Sequence, residues 1–486
     1  MPPTPAAAFD LAVVGGGSAG IVGAKTAASL GASVVLIERN RPGGDCLWTG
    51  CVPSKALIAS ADVAASARGA DSFGVTVQAV DVDFAAVMAR VKEAIAAIEP
   101  ADSVDTLTEA GITVVRGRAW FGSGGRLEVD GVPIAYRRAL LATGAHPFVP
   151  DIPGLDAVGV LTSDSLWGLT RLPRRLVVLG GGSIGCELGQ AFARLGSAVT
   201  IVEGLPRILP REDADAAAIV LTSLQSDGVV VRTGCTATAA SPGADGSGTL
   251  SVSDGQTTAD VEFDRLLVAV GRTPNTADLG LDAAGVRRDL RGFVVVDGSL
   301  RTTNRRIWAA GDLTGHPQFT HVAGVHGSLA ASNAVLGLRR RVDLTAIPRV
   351  TFTDPEVAAV GEPTDAGPTR AASRVITRDH RDVDRAVTEG RVNGFARLRV
   401  DRRSRILGAT VVGPRAGESL AELTLAVRRR LRTRDLAGTV HPYPTYADGP
   451  WNAAIADVQE GLASPGMRRV TRWLRSVARW RANEVR

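Results

Sequence analysis

Short unbroken apolar runs alternate along this chain with glycine turns and longer stretches of helical spacing. Leu11-Ala12-Val13-Val14 and Leu176-Val177-Val178-Leu179 are too short for helices, and each stops at a glycine cluster. Both predict strands buried on two faces, as in a parallel sheet. Gly15-Gly16-Gly17-Ser18-Ala19-Gly20 and Gly180-Gly181-Gly182-Ser183-Ile184-Gly185 then open alanine-bearing stretches read as helices. Second strands follow, Ser33 to Ile37 ending at Glu38 and Ala198 to Val202 ending at Glu203. Gly15 and Gly180, Gly20 and Gly185, Glu38 and Glu203 all stand 165 positions apart (180 − 15, 185 − 20 and 203 − 38). A constant offset means two copies of one β-α-β unit.

Each position in the repeat has a physical task. The first glycine permits the tight turn, the second lets backbone approach a pyrophosphate, and the third lets helix and strand pack closely. The helix N-terminus offers free N–H groups and a positive dipole end to phosphate. The acid closing the second strand can accept from ribose hydroxyls. A carboxylate at Glu203 repels a 2′-phosphate, so the second copy is expected to favour NADH over NADPH, although Arg207 lies close by in sequence.

Further strands end in turns at Leu141-Ala142-Thr143-Gly144-Ala145-His146-Pro147 and Val270-Gly271-Arg272-Thr273-Pro274, places where the chain leaves one nucleotide-binding unit for the next. Ile307-Trp308-Ala309-Ala310-Gly311-Asp312 is another strand with an acid at its end. Asp312 suits either a sugar-alcohol hydroxyl or a helix N-cap.

At 486 residues the chain is long enough for about three domains. Hydrophobic residues make up 45% and charged residues 22%, which leaves no disordered block. Four cysteines exclude a disulfide framework and fit a cytoplasmic protein with one reactive pair. Met1 to Asp10 lacks a targeting pattern, and no run approaches the ~18 apolar residues of a membrane helix. The net charge of +5 comes from arginine, with lysine only at Lys25, Lys55 and Lys92. No basic stripe interleaved with aromatics marks the body of the chain, so no nucleic-acid partner is expected.

The chemistry concentrates in Gly43-Gly44-Asp45-Cys46-Leu47-Trp48-Thr49-Gly50-Cys51-Val52-Pro53-Ser54-Lys55. Residues five apart on a regular helix point about 140° away from each other. A Cys46–Cys51 bond therefore needs a locally broken turn, which Gly50 and Pro53 are expected to supply. Two thiols in an irregular turn beside a nucleotide site point to a working redox pair; the alternative is two unrelated buried thiols.

Together the Cys-x4-Cys stretch, both glycine fingerprints, the Thr-Gly and Gly-Arg-Thr-Pro turns and the Ala-Gly-Asp segment resemble the pyridine nucleotide–disulfide oxidoreductases. This family includes dihydrolipoamide dehydrogenase, glutathione reductase and mercuric reductase, and the resemblance runs from about Phe9 to Gly461. It implies an α/β fold of the glutathione-reductase kind, with Rossmann-like FAD and NAD(P) domains and an α+β C-terminal dimerisation domain. On that pattern residues 1–155 begin the FAD domain, 156–282 form the NAD(P) domain, and 283–347 complete the FAD domain. Residues 348–462 form the interface domain, and 463–486 a basic tail. The resemblance places the ADP half of FAD at Gly15, Gly17, Gly20 and Glu38, with Ala119 bordering the adenine, Thr143 and Gly144 in an adjoining turn, and Asp312 on the ribityl chain. It places the nicotinamide cofactor at Gly180, Gly182, Gly185, Glu203 and Gly271. Cys51 would be the thiolate against the flavin and Cys46 the thiol that exchanges with substrate, with Lys55 and Glu187 as an ion pair beside them. No metal-ligating set is implied.

The chain departs from the family in its second active-site half, usually His-Pro-Thr-x-x-Glu from the partner subunit of a homodimer. Here the segment is His441-Pro442-Tyr443-Pro444-Thr445-Tyr446-Ala447-Asp448, which puts Tyr443 at the histidine position and Asp448 at the glutamate position. A tyrosine near ~10 against a histidine near ~6.5 costs about 5 kcal/mol more to recruit as a base at neutral pH. Tyr443 is better suited to donating a hydrogen bond. His441 could replace the base if it shared a face with Tyr443, but Pro442 and Pro444 favour a three-residue turn and leave its direction open.

A tyrosine in this segment is similar to mercuric reductase, yet no cysteine follows Cys235 to hand over a metal, and Trp48 is expected to narrow access to the pair. The expected activity is FAD-dependent NAD(P)H oxidation through Cys46–Cys51 to a small-molecule or metal-ion acceptor. Alternatives are a dihydrolipoamide dehydrogenase or other disulfide reductase, a quinone-reducing diaphorase, and a redox-sensing flavoprotein. In the tail, Val470, Trp473, Leu474 and Val477 recur at helical spacing among arginines, which allows peripheral contact with an anionic membrane or docking on the protein's own surface.

Overall fold

The computed structural model describes residues 8–365 and 373–484. The described residues divide into two compact units, Met1–Ile208 with Leu224–Asp343, and Leu209–Ser223 with Leu344–Arg486.

The first unit holds both repeats. One five-stranded parallel sheet runs in the order Ile307–Ala309, Tyr136–Leu141, Phe9–Val14, Val34–Glu38 and Ile112–Arg116. A second, four-stranded parallel sheet runs Val230–Thr233, Ala198–Glu203, Arg175–Leu179 and Arg265–Val268. The central strands are continuous apolar runs because both faces are covered. Leu11, Val13, Leu36 and Leu140 enter one core, while Ala12, Val14, Ile37 and Leu141 enter the other.

Helix Ser18–Ser29 crosses helix Thr320–Leu336 at backbone contact, since a Cβ on Gly327 would lie 2.1 Å from the Ala19 carbonyl oxygen. The two turns expected to leave the nucleotide-binding units meet each other. Ala145–Pro147 pairs antiparallel with Arg272–Pro274, which carries Arg272 to the dithiol turn.

The second unit is α+β. Its five-stranded antiparallel sheet runs Arg349–Thr351, Glu356–Gly361, Ile406–Gly413, Phe395–Val400 and Arg374–Asp379. Helices Ala416–Arg429 and Asp448–Ala463 pack on it through Leu420, Leu423, Ala453 and Ala454. A last helix, Pro465–Glu484, leaves Val470, Trp473, Leu474 and Trp480 exposed.

Candidate active site

The two glycine turns are built alike. Gly15 and Gly180 take φ of +104° and +113°, and a Cβ on either would collide with the Ala142 or Ala269 carbonyl. Gly20 and Gly185 let their helices close on the turns, since a Cβ would lie 1.8 Å from the Gly15 oxygen or 1.9 Å from the Gly180 oxygen. Gly17 and Gly182 differ. A Cβ on Gly182 meets nothing within 4 Å, and one on Gly17 meets only the Gly44 Cα at 3.8 Å. Both glycines stand before a helix N-terminus without a side-chain cap, so the space beyond them suits a phosphate. Each closing acid braces its own turn. Gly16 N–H donates to Glu38 at 2.7 Å, and Gly181 N–H to Glu203 at 2.7 Å. Gly117 N–H donates to the Glu38 carbonyl, which brings buried Ala119 to the end of the first repeat. The Thr143 hydroxyl donates to the Asn275 carbonyl, and Gly144 turns at φ +69°. Gly271 has φ +155° beside Arg272.

A short helical turn, Gly44–Trp48, and helix Cys51–Arg68 meet at Gly50, whose ψ of −106° breaks the path between them. Thr49 and Gly50 N–H both donate to the Asp45 carbonyl, and Trp167 Nε1 donates to the Thr49 carbonyl at 2.8 Å. Pro53 does not break the turn as expected. It lies in the first turn of helix Cys51–Arg68, where a missing N–H forfeits no intrahelical bond.

Both thiols are free. Cys51 is the first residue of the 18-residue helix and meets the Thr320 hydroxyl at 3.3 Å. The hydrogen bond from Cys46 lowers Cys51 to about 6 against the opposing effect of burial, and Thr320 and Lys55 lower it further. The same bond, with burial, pushes Cys46 far up. Both directions favour charge on Cys51 over charge on Cys46.

Lys55 Nζ lies 2.8 Å from Glu187 Oε2, with the carboxylate side chain 7% exposed. Arg272 pairs with Asp45, approaches Asp312 at 3.6 Å and donates to the Ala145 carbonyl. Burial raises the Asp312 carboxyl to about 6 despite Arg272. Hydroxyl donors at Asp312 would relieve that burial penalty, which fits a polyol chain.

A cavity of about 250 Å³ opens on Cys46, between Ile21, Val22, Leu47 and Val52, with Asp102 on its lining. Trp48 is not among its described lining residues. Its ring lies under the Arg41 guanidinium, 3.3 Å from the centroid, and its Nε1 donates to the Pro42 carbonyl. The expected narrowing by Trp48 is therefore absent from this cavity's described walls.

In the second unit His441 Nδ1 donates to the Thr439 carbonyl at 3.0 Å, its Nε2 lies 2.8 Å from Glu422 Oε2, and the ring stacks on Trp451. Tyr443 is 70% exposed, and its hydroxyl donates to Asp384 Oδ2 at 2.6 Å. Asp448 is buried and accepts from Thr445 N–H, while its Oδ1 has no partner among the described residues.

Sequence reasoning missed Thr320, Asp102, Asp384, Glu422 and Trp167 as contributors. None belongs to a local motif, and only Arg272 stood inside a quoted turn.

The chain matches the family model for pyridine nucleotide-disulphide oxidoreductase over residues 9–327 and that family's dimerisation domain over 347–454. It is 39% identical over 452 residues to a mercuric reductase of Streptomyces lividans, covering 90% of this chain and 94% of that protein. It is 35% identical over 470 residues to a dihydrolipoyl dehydrogenase of Chlamydia muridarum (strain MoPn / Nigg), covering 95% and 99%. Among solved structures, LpdA from Mycobacterium tuberculosis superposes with a TM-score of 0.84 at 30% identity, covering 92% of this chain and 99% of that one. The HOCl-induced flavoprotein disulfide reductase RclA from Escherichia coli gives 0.80 at 29%, covering 91% and 98%. The chain belongs to the pyridine nucleotide-disulphide oxidoreductases, FAD-dependent enzymes with NAD(P)H as electron donor.

Proposed function

We propose that this enzyme prefers NADH and passes its electrons through Cys46 and Cys51 to a compact thiol-reactive acceptor, a disulfide or a soft metal ion. The observation that carries the reading is a pair of free thiols in one turn, Cys51 beside the Thr320 hydroxyl and Cys46 on the lining of an open cavity, with the hydrogen bond from Cys46 favouring charge on Cys51. Gly15, Gly17, Gly20 and Glu38 would hold the ADP half of FAD, with Ala119 near the adenine, Thr143 and Gly144 alongside, and Asp312 on the ribityl chain. Gly180, Gly182, Gly185, Glu203 and Gly271 would hold the nicotinamide cofactor, and the Glu203 carboxylate disfavours a 2′-phosphate there. Bound FAD would supply the two-electron relay between nicotinamide and the cysteine pair.

With a disulfide acceptor, Cys46 sulfur attacks one acceptor sulfur as its proton passes to Cys51, and the first thiolate leaves. Cys51, deprotonated again by that leaving thiolate, attacks Cys46 sulfur; the second acceptor thiolate departs and the Cys46–Cys51 bond closes. The pair loses two electrons and the acceptor gains them. Lys55, held by Glu187, favours the Cys51 thiolate throughout. The dimerisation domain supports a homodimer in which a second subunit supplies Tyr443 and Asp448. Tyr443 would act as a hydrogen-bond donor and not as a base, its O–H turning from Asp384 to the acceptor, because Asp384 holds its ionisation above the ordinary tyrosine range.

The relatives named mercuric reductase favour a metal ion, while those named dihydrolipoyl dehydrogenase favour a disulfide. Anaerobic NADH titration of wild type and Cys46→Ser tests the reading. We expect a long-wavelength absorption band at two electrons in wild type, and turnover with disulfides or Hg(II) that Cys46→Ser abolishes. Undiminished turnover in Cys46→Ser would show that the pair lies outside the main path.

For the terminal helix Pro465–Glu484 we propose peripheral contact with an anionic membrane, since exposed Trp473, Leu474 and Trp480 accompany a row of arginines. No described helix is long and apolar enough to cross a membrane. Truncation at Ser464 should remove binding to anionic vesicles; full-length protein that ignores them ends the idea.

A further inference from the structure

The cavity at Cys46 has mostly apolar walls, and Asp102 is the only Asp, Glu, Lys or Arg among its described lining residues. Asp102 is half-buried at the end of the turn Glu99–Asp102, and no ion pair engages it among the described residues. The nearby Lys25 spends its ammonium on the Ala101 carbonyl at 2.8 Å and does not pair with Asp102. The Asp102 charge is felt at the exchanging thiol, where it opposes deprotonation of Cys46. Apolar walls exclude water and screen poorly, so the carboxylate on the lining acts on an entering molecule more directly than the Lys25 ammonium, which lies off the described lining at the Ala101 carbonyl and offsets part of its field.

We propose that Asp102 is the charge-selecting residue of the acceptor cavity, turning anionic acceptors away from Cys46 and admitting neutral or cationic ones. The proposal rests on the cavity being the acceptor site. It gives the acceptor a class: a compact, thiol-reactive molecule or ion without net negative charge. A disulfide bearing free carboxylates meets like charge at Asp102 and again at the Cys51 thiolate. An uncharged disulfide meets no such barrier, and a cation is drawn in. Asp102 is a specificity residue here and takes no part in bond making.

The test labels the thiol and does not depend on turnover. In the flavin-loaded Cys51→Ser enzyme, where no second thiol displaces the label, Cys46 is exposed to three methanethiosulfonates. These carry a trimethylammonium group, no charge, or a sulfonate. In each case Cys46 sulfur bonds to the reagent sulfur and methanesulfinate leaves. Rates at the Cys46 peptide come from mass spectrometry and are divided by those of a small free thiol. We expect a cationic-to-anionic ratio about tenfold higher with Asp102 than with Asp102→Asn at low ionic strength, shrinking as salt rises past about 0.15 M. Asp102→Glu should keep most of the selectivity. The neutral reagent reports the integrity of the thiol site in every variant, and the salt series needs no substitution at Asp102. An unchanged ratio in Asp102→Asn, or a ratio indifferent to salt, overturns the proposal. Failure of the NADH titration would instead sink the redox role of the pair and leave this ratio as measured.

Discussion

Lys55 and Glu187, 132 positions apart, form a 2.8 Å ion pair one helical turn beyond Cys51. The two charges act on the thiolate with opposite sign, since Lys55 favours it and Glu187 opposes it. Lys55→Met should therefore raise Cys51 from about 6 toward the ordinary thiol range, whereas Glu187→Gln should lower it. Thiolate reactivity is present above that value and lost as pH falls through it, so the acid limb of Cys51 alkylation by iodoacetamide moves up in the first variant and down in the second. Lys55→Met also removes a cation from a buried carboxylate. With the lysine part-exposed, about 1–2 kcal/mol of stability is expected to go, read by chemical denaturation.

The two kinds of glycine in each fingerprint predict different failures. Gly20→Ala puts a methyl group 1.8 Å from the Gly15 oxygen and should cost about 3 kcal/mol or more, with poorly folded protein as the readout. Gly17→Ala adds a methyl group into open space and should leave stability within about 0.5 kcal/mol. Its effect should appear in FAD retention on dilution, weakened by about tenfold or more. Equal destabilisation by both variants would contradict this division of labour.

Tyr443 and Asp384 test the departure from the family's histidine. The Asp384 carboxylate accepts from the Tyr443 hydroxyl and holds its ionisation above the ordinary value. In Asp384→Asn the Tyr443 phenol should ionise at lower pH, visible as tyrosinate absorbance in a difference titration against Tyr443→Phe. Acceptor turnover in Tyr443→Phe should fall by about three- to tenfold, the size of one lost hydrogen bond to a reacting group. A tyrosine general base would instead lose several orders of magnitude.

His441 and Glu422 are expected to hold the Tyr443 segment in place. Either His441→Ala or Glu422→Gln should lower the stability of the C-terminal unit by about 1 kcal/mol, and the double variant should lose little more. Thermal unfolding of the four proteins checks this, with simple additivity as the result against it.

The sequence alone determined the repeat, because its parts act over a few residues. A glycine five positions beyond another closes a turn onto a helix, and an acid at a strand end faces back to that turn. Apolar runs without alternation announced parallel strands covered on both faces. The dithiol turn was legible for the same reason, apart from Pro53, whose place in a helix's first turn looks from sequence like a break. What the thiols become was decided by tertiary structure. Thr320 reaches Cys51 across 269 positions and Arg272 reaches Asp45 across 227. Tyr443 finds Asp384, and Asp102 arrives at the Cys46 cavity from a separate turn. Charge and hydrogen bonding act through space and depend on distance and burial, and neither is encoded in the spacing of residues along a chain.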